Sequence, residues 1–169
     1  FRDGLAEAIK YGIISGNELF SLFENGIDRD DLENIIGKCI ELKKEYVEKD
    51  IYDQHIRKML NLGHTIGNAI EAASGYSISH GDAVASGIVA MGQIFDTPCV
   101  QRLKDTFENC GFDMADIDFT AEELAPYAAA DKKKGGDFVV IVIPRDIGVC
   151  ELERLPIDEI ESKLEKVCI

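Results

Sequence analysis

The chain has 169 residues, of which 46% are hydrophobic and 30% charged, and this combination is typical of one globular domain with a buried core. Its formal net charge is −14, which argues against nucleic acid or an anionic membrane as a partner, because both bind basic surfaces. No apolar run reaches membrane-spanning length and no segment has the pattern of a signal peptide, so we expect a cytoplasmic protein without a membrane partner.

Cysteine usage and the start of the chain set two further limits. The five cysteines are scattered, odd in number and without a C-x-x-C pair, which predicts reduced, mostly buried thiols rather than a zinc cluster. The chain begins at Phe1 and enters a helical pattern at once, which indicates an excerpt of a longer protein. It contains neither G-x-G-x-x-G nor G-x-x-x-x-G-K-[ST], so we expect any conventional nucleotide site to lie outside this chain.

Apolar residues at helical spacing, with capping residues and glycine stops, predict a mainly α-helical domain over residues 1–169. The predicted helices lie, in chain order, at 4–14, 17–26, 28–50, 53–74, 81–95, 97–111, 120–133 and 156–167. The segments "DFVVIVIP" (137–144) and "IGVCELE" (147–153) predict two strands of one small hairpin, with its turn near Pro144-Arg145-Asp146.

The helix predicted at 53–74 carries polar residues in steps of 4, 3, 4 and 3, which place them on one helical face over four turns. These residues are Arg57, Asn61, His64, Asn68 and Glu71. Most of the remaining circumference is apolar or small, which is typical of a buried helix. Because buried polar groups need partners, the stripe predicts a helix that lines a polar cavity.

Two histidines in apolar surroundings provide candidate metal ligands. A lone histidine in such a segment is more often a satisfied core residue, but His64 belongs to the polar stripe and His80 stands at the start of the next predicted helix. Glu7 lies in another apolar helix, with Lys10 and Tyr11 on its face. One carboxylate and two imidazoles, far apart in sequence, form a set typical of a catalytic zinc site with open positions.

Three segments together resemble the signature segments of the 3-dehydroquinate synthase family: "GLAEAIKYG", "NLGHTIGNAIEAASGY" and "HGDAVASGIVAM". The resemblance continues through "LKKEYVEKD" and "DKKKGGDFVVIVIPRDIG", in the family's order and over nearly the whole chain. It implies the multi-helical C-terminal domain of the dehydroquinate synthase-like fold, with the N-terminal NAD-binding domain absent from this chain.

The resemblance also implies roles for individual residues. The metal ligands for Zn²⁺ or Co²⁺ would be Glu7, His64 and His80. The contacts to an anionic sugar acid phosphate would be Lys10, Lys43, Arg57, Asn61 and either Lys132 or Lys133. Taken without the resemblance, Lys43 is better explained as part of a solvated helix face.

The implied reaction converts 3-deoxy-D-arabino-heptulosonate 7-phosphate to 3-dehydroquinate and phosphate, in the shikimate pathway of aromatic amino acid biosynthesis. NAD would be held mainly by the N-terminal domain, so we expect the chain alone to bind no NAD and to be inactive. A homodimer of the full-length enzyme is compatible with the resemblance.

Two positions depart from the family's pattern: Asn68 stands where the family usually has a second histidine, and Asp137 where it tends to have arginine. They keep open another sugar phosphate cyclase, such as a 2-deoxy-scyllo-inosose synthase. A metal-dependent alcohol or glycerol dehydrogenase domain fits "NLGHTIGNAIE" poorly. A non-catalytic helical interaction domain would not need the intact Glu7, His64 and His80.

Overall fold

A computed structural model of the protein describes residues 1–113, 119–120, 123–124, 126 and 138–164. The α-helices in this part are α1 (Arg2–Ser15), α2 (Asn17–Phe20), α3 (Leu32–Lys49), α4 (His64–Ala73), α5 (His80–Ile94), α6 (Val100–Asn109) and α7 (Ile157–Leu164). Short 3-10 helices lie at Arg29–Asp31 and Ile56–Asn61. Strands β1 (Phe138–Asp146) and β2 (Val149–Pro156) form one antiparallel hairpin, which confirms the predicted mainly helical class.

Helix α5 lies at the centre of the fold and packs against α1, α4, α6 and β1. Its sequence is almost entirely apolar or small, so it is buried on nearly all sides. Val84 and Ile88 on α5 join a core cluster with α1, α2 and α6. Ala83 and Met91 join a second cluster with α4 and the hairpin. Both core clusters therefore fix the position of the residue that begins α5, His80.

Small residues allow α4 and α5 to pack with their backbones in contact. A Cβ atom at Gly67 would lie 3.0 Å from the carbonyl oxygen of Ala83, and one at Gly87 would lie 2.2 Å from the carbonyl oxygen of Gly63. Carbon and oxygen atoms repel strongly at such distances. The glycines therefore set the short separation between the two helices that carry the histidines.

The prediction of a single helix at 53–74 is wrong. The chain forms a 3-10 helix at Ile56–Asn61, leaves helical geometry at Leu62, and begins α4 only at His64. Gly63 has φ 79°, a left-handed conformation that glycine adopts at little cost, and it lies directly against Val84 and Ile88 of α5. Continuous helical spacing therefore holds only for His64, Asn68 and Glu71, and the predicted four-turn stripe does not exist as one helical face.

The segment before this break is organised by a carboxylate. The side chain of Asp50 accepts hydrogen bonds from the backbone N–H groups of Gln54, His55 and Arg57, at 3.0, 2.6 and 3.2 Å. These bonds satisfy donors that an α-helix would otherwise use or leave free. His55 itself is exposed.

The predicted helix at 28–50 appears as α3, preceded by a 3-10 turn, but its apolar residues are not all buried. Ile35 is buried, whereas Ile36 and Ile40 are 54% and 61% exposed. The apolar residues of α3 therefore face partly the protein interior and partly solvent, because one edge of α3 packs against α1.

Two further boundaries differ from the predictions. Helix α6 begins at Val100 rather than at Thr97, because the Thr97 hydroxyl donates to the carbonyl oxygen of Gly92 instead of capping α6. The β1 strand continues to Asp146, and the hairpin turns at Ile147 and Gly148. Gly148 has φ 83°, and its N–H donates to the carbonyl oxygen of Ile13 at 2.8 Å, which anchors the turn on α1.

The described residues at the start of the helix predicted at 120–133 make the expected capping contacts. The Thr120 N–H donates to Glu123 at 2.9 Å and the Glu123 N–H donates to the Thr120 hydroxyl at 3.3 Å, as in a capping box. Each cysteine within the described ranges is a free thiol, as predicted, but the prediction of mostly buried thiols is wrong, because only Cys99 of these is buried and Cys39, Cys110 and Cys150 are half-buried. No helix in the described part of the chain is long and apolar enough to cross a membrane.

Candidate metal centre

Glu7, His64 and His80 meet at one point although they come from three helices. Glu7 lies in α1, and the histidines are the first residues of α4 and α5. The Oε1 atom of Glu7 is 3.5 Å from Nε2 of His64 and 3.6 Å from Nε2 of His80. The two rings are 5.4 Å apart between centroids, at an angle of 63°. The predicted convergence of these side chains is confirmed.

Local backbone features place each histidine at the start of its helix. Gly63 ends the preceding segment, so His64 begins α4. The Ser79 hydroxyl accepts a hydrogen bond from the Asp82 N–H at 3.2 Å and thereby caps α5, which puts His80 in the first turn.

The start of α5 is also tied to the start of α1, the helix that carries Glu7. The Asp3 carboxylate accepts a hydrogen bond from the Gly81 N–H at 2.7 Å. The Arg2 guanidinium donates twice to the Asp82 carboxylate, at 2.8 and 2.6 Å. These contacts satisfy a free N–H group of α5 and fix the relative positions of α1 and α5.

The hydrogen-bond partners of the imidazoles define which nitrogen carries the proton. Nδ1 of His64 is 3.2 Å from the carbonyl oxygen of Leu62, and Nδ1 of His80 is 3.2 Å from Oε2 of Glu71. Because a carbonyl and a carboxylate oxygen can only accept, both Nδ1 atoms must donate. In the neutral rings, each Nε2 atom therefore directs a lone pair towards Oε1 of Glu7.

Three acceptor atoms without a donor between them are the signature of a cation site. Oε1 of Glu7 is buried and has no hydrogen-bond partner within the described part of the chain. Its distances to the two Nε2 atoms are too long for good hydrogen bonds. They are close to the ligand separation of about 3.3 Å that follows from tetrahedral bonds of about 2.0–2.1 Å to zinc. One carboxylate and two imidazoles suit Zn²⁺ or Co²⁺ and leave coordination positions open.

Lys10 holds the other oxygen of Glu7. Its ammonium group donates to Oε2 of Glu7 at 2.7 Å and to the carbonyl oxygen of Leu60 at 2.6 Å, and its side chain is buried. Lys10 thus directs Oε1 towards the histidines and connects α1 to the 3-10 helix. Burial lowers the pKa of Lys10, and the Glu7 carboxylate partly opposes this shift.

The pKa of His64 is lowered, first by burial and then by the charge of Lys10. A lower pKa favours the neutral ring, which is the form that binds a metal ion. The environment of His64 therefore suits a ligand more than a charged core histidine.

The structure connects the other predicted substrate contacts less directly to this centre. Lys43 is exposed and lines, with Glu7, an open cleft between α1 and α3. Arg57 is half-buried and donates to the carbonyl oxygen of Ile51 at 3.3 Å, and Asn61 is exposed at the end of the 3-10 helix. Their contacts with substrate stay predictions. Lys132, Lys133 and Asp137 lie outside the described residues.

Sequence reasoning missed the supporting groups of the centre. Glu71 belongs to the predicted polar stripe but has no predicted role, and the structure shows that it contacts His80. Its spacing of seven residues from His64 is the signal that could have suggested this contact. Asp3 and the carbonyl group of Leu62 carried no such signal, because their roles depend on a contact across the fold and on the break at Gly63.

The arrangement of helices and hairpin is that of the sugar phosphate cyclases. A solved 2-deoxy-scyllo-inosose synthase, complexed with carbaglucose-6-phosphate, NAD⁺ and Co²⁺, is 21% identical with a TM-score of 0.79, covering 98% of this chain and 52% of that one. The 2-epi-5-epi-valiolone synthase from Streptomyces hygroscopicus subsp. jinggangensis 5008, with NAD⁺ and Zn²⁺ bound, is 20% identical with a TM-score of 0.80, covering 96% of this chain and 49% of that one. At this identity the likeness defines the fold.

The sequence defines the family more narrowly. The profile of the 3-dehydroquinate synthase C-terminal family matches residues 4–134, and the chain belongs to that family. It is 36% identical over 176 residues to the 3-dehydroquinate synthase of Dictyoglomus thermophilum, covering 96% of this chain and 48% of the relative. It is 37% identical over 163 residues to the 3-dehydroquinate synthase of Microcystis aeruginosa, covering 88% of this chain and 44% of the relative. The chain spans about half the length of the curated relatives it matches.

Proposed function

We propose that this chain is the metal- and substrate-binding part of a 3-dehydroquinate synthase. The reaction would convert 3-deoxy-D-arabino-heptulosonate 7-phosphate to 3-dehydroquinate and phosphate in the cytoplasm, with NAD bound mainly by the rest of the enzyme. The observation that carries the proposal is the convergence of Glu7, His64 and His80, with the buried Oε1 atom facing two Nε2 atoms. The relatives named 3-dehydroquinate synthase support the choice of reaction.

The chain's own residues would bind, orient and neutralise the substrate. A bound Zn²⁺ or Co²⁺ supplies Lewis-acid polarisation of substrate oxygens. Lys10 keeps Glu7 in its ligand orientation, and its remaining N–H group is available to an oxygen at the centre. Lys43 and Arg57 would place positive charge near the carboxylate and phosphate, and Asn61 would donate a hydrogen bond.

An acidic protein can bind an anionic substrate if positive side chains are concentrated at the binding site. The net charge of −14 is spread over the chain, whereas Lys10 contacts Glu7 and Lys43 lines a cleft with it. A local basic pocket is sufficient for a small anionic substrate. Lys132, the homodimer and the inactivity of the isolated chain stay predictions within this proposal.

A second candidate is another sugar phosphate cyclase. Asn68 in place of the family's histidine favours it, and the similar structures include a 2-deoxy-scyllo-inosose synthase. The dehydrogenase and interaction-domain alternatives have no such support, and the intact set of ligand side chains argues against the latter.

Phosphate release by the full-length protein distinguishes the candidates. With Zn²⁺ and NAD⁺ present, we expect release from the heptulosonate phosphate and none from glucose 6-phosphate. His64→Ala should abolish the activity, and Glu41→Ala, which removes an exposed carboxylate on α3, should leave it unchanged. Release from glucose 6-phosphate alone would establish the second candidate in its 2-deoxy-scyllo-inosose synthase form, and no release from the heptulosonate phosphate would refute the first candidate.

A further inference from the structure

We propose that Glu71 is a positioning residue that holds His80 as a metal ligand, an inference that rests on the proposed metal centre. Oε2 of Glu71 in α4 is 3.2 Å from Nδ1 of His80 in α5. The carboxylate can only accept, so it keeps the proton on Nδ1 and the lone pair on Nε2. It thereby selects the tautomer that faces Glu7.

The two histidines differ in how they are held. The His64 side chain is 22% exposed, and its Nδ1 atom contacts the backbone carbonyl of Leu62, which no substitution can remove. The His80 side chain is 38% exposed, and its Nδ1 contact is to a side chain. Without Glu71, the His80 ring is free to rotate and to change tautomer, so metal binding would have to restore that order.

Helix α4 brings Glu71 to this position because it lies seven residues, about two turns, after His64 and on the same face. One helix therefore supplies a ligand directly and orients the second ligand on its neighbour. The glycine contacts between α4 and α5 fix the distance between the carboxylate and the imidazole.

Metal affinity measured on the full-length protein tests this role. In competition with a chromogenic chelator, we expect Glu71→Ala to weaken Zn²⁺ binding by about 10–100-fold. Glu71→Gln retains an amide oxygen that accepts from Nδ1, so it should keep most of the affinity. Glu41→Ala, which removes a carboxylate far from His80 in sequence, is the matched control and should bind like the wild type.

The visible spectrum of bound Co²⁺ separates a positioning role from a merely structural one. We expect Glu71→Ala to change the ligand-field bands and Glu71→Gln to restore them, while both variants unfold in their metal-free form at nearly the wild-type temperature. Equal losses of affinity in both variants would overturn the positioning role, because a charge effect would then explain them.

A His64→Ala variant separates failure of this inference from failure of the metal centre itself. If the wild type binds Zn²⁺ and His64→Ala does not, but Glu71→Ala binds normally, the role of Glu71 is overturned and the centre stands. If the wild type and His64→Ala bind Zn²⁺ equally, the metal centre is overturned together with the role of Glu71.

Discussion

Two glycine-containing segments of similar composition, residues 56–73 and 80–94, carry the two histidines and fold differently. The second is one continuous helix, α5, in which Gly87 provides space for the neighbouring backbone. The first is interrupted at Gly63, which uses its left-handed conformation to start a new helix. The two glycines lie in contact, because the absence of a Cβ atom on Gly87 leaves space for the backbone of Gly63. Glycine is thus required for its left-handed conformation at Gly63, before α4 begins, and for close packing at Gly87 within α5.

Gly87→Ala should break the arrangement most severely. Its Cβ would lie 2.2 Å from the Gly63 carbonyl oxygen and 2.8 Å from the Gly67 nitrogen, and both are backbone atoms that cannot move without separating α4 from α5. We expect a loss of roughly 3 kcal/mol or more in the free energy of unfolding, measured by urea denaturation. Gly37→Ala is the control: no atom lies within 4 Å of its Cβ, so it should stabilise α3 by about 0.5–1 kcal/mol. A small effect of Gly87→Ala would contradict the close packing.

Gly63→Ala should be the next most damaging change. It combines φ 79° with a Cβ that would lie 2.5 Å from Cγ1 of Ile88 and 2.8 Å from the backbone carbonyl oxygen of Val84. Gly75 also has positive φ, 61°, but no neighbour within 4 Å, so Gly75→Ala isolates the conformational part. We expect Gly75→Ala to lower the free energy of unfolding by about 1–2 kcal/mol and Gly63→Ala to lower it by about 1 kcal/mol more, as measured by thermal and urea unfolding. Equal effects at both positions would show that the contact with Ile88 is unimportant.

Asp50→Asn tests the segment that precedes the break. Hydrogen bonds from the backbone, that of Gln54 foremost, lower the pKa of Asp50 in the folded protein. A lowered pKa stabilises the fold above the unfolded value of about 3.9, and this stabilisation is lost as pH falls through the folded pKa. The wild type should therefore have a higher Tm than Asp50→Asn at pH 7, and the difference should shrink progressively as pH falls below about 4. A difference in Tm that is constant between pH 7 and pH 3 would contradict this role.

Asn68→His should have the smallest effect. Asn68 is exposed one turn after His64 on α4, where the family usually has a second histidine. If its role is to donate a hydrogen bond to phosphate, histidine can replace it, and kcat/KM of the full-length enzyme should change by less than about tenfold. A gain of several hundredfold, with a new pH dependence near the histidine pKa, would instead indicate a missing proton carrier and a divergent cyclase.

The sequence was sufficient to predict the helical class, the hairpin and the three side chains that meet at the candidate metal centre, because these depend on local periodicity and on matching segments. It was not sufficient to predict the break at Gly63, since a glycine within a helical pattern does not show whether a neighbouring helix will press against it. The exposure of Ile36 and Ile40 could not be predicted for a similar reason, because the apolar residues of a helix do not show how many of them a neighbouring element will cover. The role of Glu71 required the distance between α4 and α5.

Anomalous diffraction at the zinc absorption edge, from crystals of the full-length protein grown with Zn²⁺, tests the central claim most directly. We expect one strong peak bounded by Oε1 of Glu7, Nε2 of His64 and Nε2 of His80, at about 2.0–2.2 Å from each atom. A peak at other residues, or none at this point when zinc is in excess, would contradict it.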